Sequence, residues 1–171
     1  MISESKQIKL IIFSDTHRDN RRMEQAIQES SPDIVIHLGD HIDDARRIKA
    51  KFSDLTYHMV KGNTDFMTPG DNELLLQFGE LKFFMTHGHV YRVKDDLSRL
   101  VHRAKEVGVD LALFGHTHNA CVIKEHGITF MNPGQLEHHH ERRKASYGMV
   151  TIEDGSFECN IVYLPGDQYD W

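Results

Sequence analysis

Cysteine is scarce in this chain, and its two copies, Cys121 and Cys159, form no C-x-x-C pair. That spacing excludes a disulfide framework and a thiolate zinc site, and it reads as free thiols in a reducing, cytoplasmic setting. No apolar run approaches the length that crosses a bilayer. The stretch from Met1 to Gln7 is polar and leads straight into a strand, which is not the pattern of a signal peptide. Positive charge is not in excess. The formal net charge of −6 argues against an extended nucleic-acid surface, because tracking phosphates needs a basic face. A small anionic substrate stays compatible with that charge, since a local cationic site outweighs a modest net charge. Internal repeats, low-complexity linkers and composition breaks are all missing, so residues 1–171 read as one domain with no membrane partner. A homo-oligomer is left open.

What the chain does have is histidine. It occurs 13 times in 171 residues, so the position of each one is the question. The first half alternates apolar β-branched runs with helical periodicity. Ile8 to Phe13, Ile34 to Leu38 and Thr56 to Val60 read as strands. Between them lie a helix capped by Asp19 or Asn20 and closed before Pro32, and a shorter one capped by Asp43 or Asp44. Glu73 to Phe78 and Lys82 to Thr86 read as a hairpin. Leu97, Leu100, Val101, Ala104 and Val107 then mark an amphipathic helix ending at Gly108. Asp110 to Phe114 is a further strand, and hairpins turning near Gly127 and at Asp154-Gly155 complete the chain. A half that alternates α and β, followed mostly by hairpins, predicts two packed sheets with helices outside.

Five strand ends carry residues that bind metals: Asp15 and His17, then Asp40, Asn63, His87, and finally His116 with His118. Each alone has an ordinary explanation. Gly39-Asp40 and Gly62-Asn63 are common turn pairs, Asp15 suits a turn, and a single histidine is often just a polar residue. All five together at strand ends are not explained that way. If the backbone stays extended through Gly115-His116-Thr117-His118, the two imidazoles point oppositely and serve two neighbouring metals, one each.

The series Asp15-x-His17, Gly39-Asp40, Gly62-Asn63, His87 and Gly115-His116-Thr117-His118 resembles the calcineurin-like metallophosphoesterases. With Asn132-Pro133-Gly134 after the last motif, it looks most like the small YfcE-type phosphodiesterase branch, over about residues 8 to 163. The resemblance implies an α/β fold, a four-layer α/β/β/α sandwich of two mixed β-sheets flanked by helices. It implies one metal on Asp15, His17, Asp40 and His118, and a second on Asp40, Asn63, His87 and His116. A carboxylate bridge at Asp40 has its own logic, since two divalent ions ~3.5–4 Å apart repel and need an anion between them. Imidazole, carboxylate and amide donors suit a transition metal, Mn first, with Fe, Co, Ni or Zn as others.

The activity implied is phosphodiester hydrolysis by in-line attack of a metal-bridging hydroxide, with Asp40 and Asn63 as catalytic residues and Asn63 also donating to a phosphoryl oxygen. No nucleophilic Ser or Cys is required. Thr64 follows Asn63 where many family members carry His, and a threonine is a poor proton donor to the leaving group. His89 is an alternative donor or a structural neighbour of the site, and His41 either orients the site or is exposed. Arg18, Asn20, Arg142 and Arg143 are rim candidates for substrate anions, beside His138-His139-His140, and Gln135 stands where the branch has Ser. Two rival functions remain: an interaction scaffold of the same fold, resembling the retromer subunit, and a phosphomonoesterase or nucleotidase.

Overall fold

The computed structural model describes residues 7–137 and 144–165. The first half forms β1 (Ile8–Phe13), α1 (Asn20–Ser30), β2 (Ile34–His37), α2 (Ile42–Lys51) and β3 (Thr56–Met59). There follow β4 (Glu73–Phe78), β5 (Leu81–Thr86), α3 (Ser98–Val107), β6 (Leu111–Leu113), β7 (Cys121–Glu125), β8 (Ile128–Asn132), β9 (Ser146–Glu153) and β10 (Ser156–Tyr163). One sheet has the order β10-β9-β1-β2-β3 and the other β4-β5-β6-β8-β7. Both are mixed. β1 runs parallel to β2 but antiparallel to β9, and β5, β6 and β8 run parallel between antiparallel outer strands. The later half is therefore more than hairpins, because α3 carries the chain back over the sheet between β5 and β6.

The period-2 alternation of the strands builds the layers. Leu10 and Ile12 of β1 turn toward Phe83, Met85, Leu111 and Leu113 of the other sheet, all fully buried. Their neighbours Ile11 and Phe13 face the opposite way, onto Met23, Ala26 and Ile27 of α1 and Ile48 of α2. On the far side Phe84, Ala112 and Phe130 pack against Leu100, Val101 and Ala104 of α3. Burying each large apolar side chain contributes roughly 1.5–3 kcal/mol, so three such layers fix the sheets rigidly enough to position loops. The result is the α/β/β/α sandwich, with two mixed sheets each covered by helices.

The helix ends match the sequence reading in two cases and depart from it in one. Asp19 caps α1 by accepting from the Arg22 N–H at 3.2 Å, and α3 closes on Gly108 at φ 66°. At α2 neither Asp43 nor Asp44 caps. His41 holds the cap position at φ 64°, and the Ile42 N–H donates instead to Asp65 Oδ1 at 3.1 Å. Asp44 turns inward and is buried, because its carboxylate serves the loop after β1.

Candidate metal centre

The parallel strands β1, β2, β3, β5 and β6 all release their carboxyl ends toward one edge, and the predicted residues lie on the loops that follow. The loops interlock tightly. The Asp15 N–H donates to the Gly39 carbonyl at 3.0 Å, and the Gly115 N–H to the His87 carbonyl at 3.0 Å. A Cβ on Gly62 would lie 2.1 Å from Asp40 Oδ1, and one on Gly115 would lie 2.0 Å from Ser14 Oγ. Only glycine permits these approaches, which is the physical content of the Gly-Asn and Gly-His pairs.

Two groups of ligand atoms result, each within 4.8 Å: Asp15, His17 and His118, and Asp15, Asp40 and His87. Asp15 is fully buried, with Oδ1 2.9 Å from His118 Nε2 and Oδ2 accepting from the Ser14 hydroxyl at 2.5 Å and the His116 N–H at 3.2 Å. Burial alone would raise its pKa. The neighbouring His118 and the charge of His87 outweigh that and hold the carboxyl at about 2. Asp40 Oδ1 accepts the Thr64 N–H at 3.0 Å and lies 3.5 Å from His87 Nε2. The carboxylate common to both groups is thus Asp15, whereas the sequence pointed to Asp40 as the shared one.

His87 is fully buried, and its Nδ1 donates to the Leu38 carbonyl at 2.9 Å. In the neutral ring Nε2 then carries the lone pair that a metal ion takes. Around that nitrogen lie Asn63 Oδ1 at 3.1 Å and His116 Nδ1 at 3.1 Å, besides Asp40 Oδ1. The carboxylate and amide oxygens only accept, and each ring nitrogen accepts wherever it carries no proton. A divalent cation satisfies them all. His17 Nε2 is buried without a hydrogen-bond partner among the described residues. The residues therefore fit the metals that the motif implies. Burial, with the charges of His87 and Lys94, pushes His116 down to about 4, which keeps its imidazole neutral as a ligand must be.

His116 and His118 do face different groups, but not by strand alternation. Both have left-handed backbone, φ 67° and 59°, because the strand ends at Leu113 and the chain folds back on itself at Gly115. Among the remaining predicted residues, His41 packs edge-on against His17, ring centroids 4.7 Å apart, so it steadies that imidazole. His89 lies 5.4 Å from His87 and 6.2 Å from His116, centroid to centroid. Burial and the charge of His87 push its pKa down. Arg18 is exposed, with its backbone N–H bound to Asp44 at 2.7 Å, and Asn20 is the first residue of α1. Gln135, which stands where the branch has Ser, is buried. His138 to His140, Arg142 and Arg143 lie outside the described residues.

Three acidic residues went unassigned to the site by sequence. Asp44 accepts from the Thr16 hydroxyl at 2.7 Å and the Arg18 N–H at 2.7 Å, gripping the loop that presents Asp15 and His17. Asp65 accepts from the Gly62 N–H at 2.8 Å and from Ile42, tying the Asn63 loop to the Asp40 loop. Glu137 Oε2 lies 3.6 Å from His17 Nε2. The signal available for Asp65 was its place two residues past Asn63; Asp44 and Glu137 stand in no motif.

A model of the calcineurin-like phosphoesterase superfamily domain matches residues 8–155. The chain is 34% identical to the probable metallophosphoesterase YsnB of Bacillus subtilis (strain 168) over 165 residues, 95% of each chain. Among solved structures it is similar to a conserved, uncharacterized protein of Streptococcus pneumoniae TIGR4, a predicted phosphoesterase. That match has a TM-score of 0.76 and 27% identity, covering 92% of this chain and 90% of the other. It also shares its fold with a Vps29 single mutant from Entamoeba histolytica, at a TM-score of 0.70 and 20% identity, covering 92% of this chain and all of the other. Relatives from several branches match, so the likeness reaches the superfamily and does not single out the YfcE-type branch. Among the described residues no helix is long and apolar enough to cross a membrane.

Proposed function

We propose, from the premise that this chain belongs to the calcineurin-like phosphoesterase superfamily, that it is a metal-dependent hydrolase of small phosphodiesters, of the YfcE type. The observation that carries this reading is the convergence of His87 Nε2, Asn63 Oδ1 and Asp40 Oδ1, one nitrogen and two oxygens of the kinds that bind a divalent transition metal.

In this reading Asp15, His17, Asp40 and His118 hold one ion, and Asp40, Asn63, His87 and His116 the other. Such ions, when bound, supply charge to a phosphoryl group and an activated water for in-line attack. The chain's own groups do the rest. Asp15 is fixed by Ser14 and Asp40 by the Thr64 N–H, so the ion sites do not reorganise during turnover. Asn63 offers its oxygen to an ion and its amide hydrogens to a phosphoryl oxygen. Exposed Arg18 is the candidate for gathering the anion, and Arg142 is a second candidate on sequence alone. His89, held neutral by burial, orients the His87 side and supplies no proton near neutral pH. The unpaired Cys121 and Cys159 support a cytoplasmic setting.

The test is metal analysis of the purified full chain beside hydrolysis of bis-p-nitrophenyl phosphate, p-nitrophenyl phosphate and a nucleotide panel. Two ions per chain, diester turnover lost to chelator and restored by Mn or a similar ion, and weaker monoester turnover are the expected results. Bound metal with no turnover of any ester would favour the scaffold instead.

A further inference from the structure

A cleft of about 570 Å³ opens beside the centre, and the reading above gives it no role. We propose that this cleft seats one organic arm of the diester, and that the arm it takes is nucleoside-sized, an apolar ring carrying hydrogen-bonding edges. The inference rests on the function proposed above and names the substrate class of the same site.

The cleft borders the centre directly. Its lining includes His118 and the adjoining Thr117, so a phosphoryl group held at Asp15, His17 and His118 lies at its edge. Its walls are of two kinds. Val93, Leu97 and Phe114 supply an apolar side, while Thr117, Asn119 and Lys94 supply hydrogen-bonding groups and one cation. A volume of this size is ordinary for a small-molecule site, and its apolar and polar walls in nearly equal measure suit an arm that has both characters. A methyl or other small ester arm would leave it unfilled.

The cleft is also held in shape. Asn132 is fully buried and donates from Nδ2 to the Gly115 carbonyl at 3.0 Å and to Thr117 Oγ1 at 3.0 Å, while the Asn119 N–H donates to the same hydroxyl at 3.3 Å. One buried amide therefore fixes both the metal-facing loop and the polar wall. On the opposite wall Val93 is buried and its N–H reaches the Gly88 carbonyl at 3.4 Å. Lys94, next in the chain, is exposed at the mouth, near enough for its charge to act on His116. That position suits an ammonium that meets the phosphodiester anion as the arm enters.

The experiment keeps the leaving group constant and changes only the other arm. Metal-loaded full chain is assayed with methyl p-nitrophenyl phosphate and with thymidine 5′-(p-nitrophenyl phosphate). The thymidine ester should show a KM about tenfold lower, and Leu97→Trp, which fills the cleft, and Asn119→Ala, which removes a hydrogen-bonding group from its polar wall, should each shrink that ratio to roughly two or three. Two variants on different walls guard against a misfolded Trp protein. Equal KM values for the two esters in the wild type, or a ratio that neither variant changes, overturn the proposal. Turnover of the methyl ester alone tests the hydrolase reading. If neither ester reacts, calorimetric binding of thymidine 5′-monophosphate against methyl phosphate still reads the cleft. Tighter binding of the nucleotide, lost in the variants, supports it, and equal affinities overturn it.

Discussion

His118 Nε2 stands 2.9 Å from Asp15 Oδ1, across a gap of more than a hundred residues in sequence. Asp15 also takes the His116 N–H on its other oxygen. One buried carboxylate therefore anchors both histidines of the Gly-His-Thr-His segment and belongs to both ligand groups, while Asp40 belongs to the second. This separates two substitutions. Asp40→Asn should lose turnover and both ions if Asp40 bridges them, as we propose. Asp15→Asn should lose the ion on His17 and His118 first and also loosen the 115–118 loop. Metal content per chain, measured by mass spectrometry on both variants, decides it. Normal activity of Asp40→Asn with two ions bound would sink the bridging assignment.

The sites for metal were legible because each loop is short and local: an apolar run, a glycine, then a polar residue. The spacing of Gly39-Asp40 and Gly62-Asn63 carries the close approach of two backbones, and that leaves a mark in the sequence itself. The direction of His116 and His118 was legible only in outcome. Opposite strand faces were the assumed cause, whereas left-handed backbone at both residues is the real one. Asp44 and Asp65 were harder. Their partners lie 28, 26 and 23 residues away, so an acidic residue inside or before a helix reads as a cap until the fold is known. Thr16 shows the same blindness. It looks like a spacer between Asp15 and His17, yet its hydroxyl is the handle by which Asp44 holds both.

Asp65 provides a test of that holding. Asp65→Ala leaves the buried Gly62 N–H and the Ile42 N–H without their acceptor, which should cost about 2–4 kcal/mol of stability in total. Because those bonds tie the Asn63 and Asp40 loops together, metal affinity should also fall by roughly 10–100-fold. Asp65→Asn keeps one acceptor oxygen and should fall between. Urea unfolding of chelated protein, paired with metal titration, separates the two effects. A stability loss with unchanged metal affinity would show that Asp65 holds the fold but not the centre.

The leaving group needs a proton, and the groups near the centre are poor sources of one. Thr64 spends its backbone N–H on Asp40 and has only a weakly acidic hydroxyl, and His89 is kept neutral by burial. Activity on a series of aryl methyl phosphates should therefore fall steeply as the leaving phenol's pKa rises, close to tenfold for each pKa unit at the steepest. The slope of log kcat/KM against that pKa is the measurement. A flat line would reveal a proton donor that the geometry here does not supply.

Stability should depend on pH through His37, which sits buried at the end of β2. The Gly39 N–H donates to its Nδ1 at 3.2 Å, so the ring proton is on Nε2 and points to Thr16 Oγ1 at 3.1 Å, whose own hydrogen goes to Asp44. That relay requires a neutral ring. Burial pushes the pKa down to about 4 from an ordinary 6.5, against the opposing pull of Asp44 and Asp65. With the folded value the lower one, the unfolded chain binds the proton first. The stabilisation is whole above about pH 6.5 and is lost as pH falls toward 4, amounting to about 2 kcal/mol between pH 7.5 and 5. Urea unfolding of chelated protein at those two values measures it. His116 is depressed in the same direction, so His37→Gln should flatten the dependence only in part. A variant with the full wild-type slope would show that His37 is not among the groups that take up the proton.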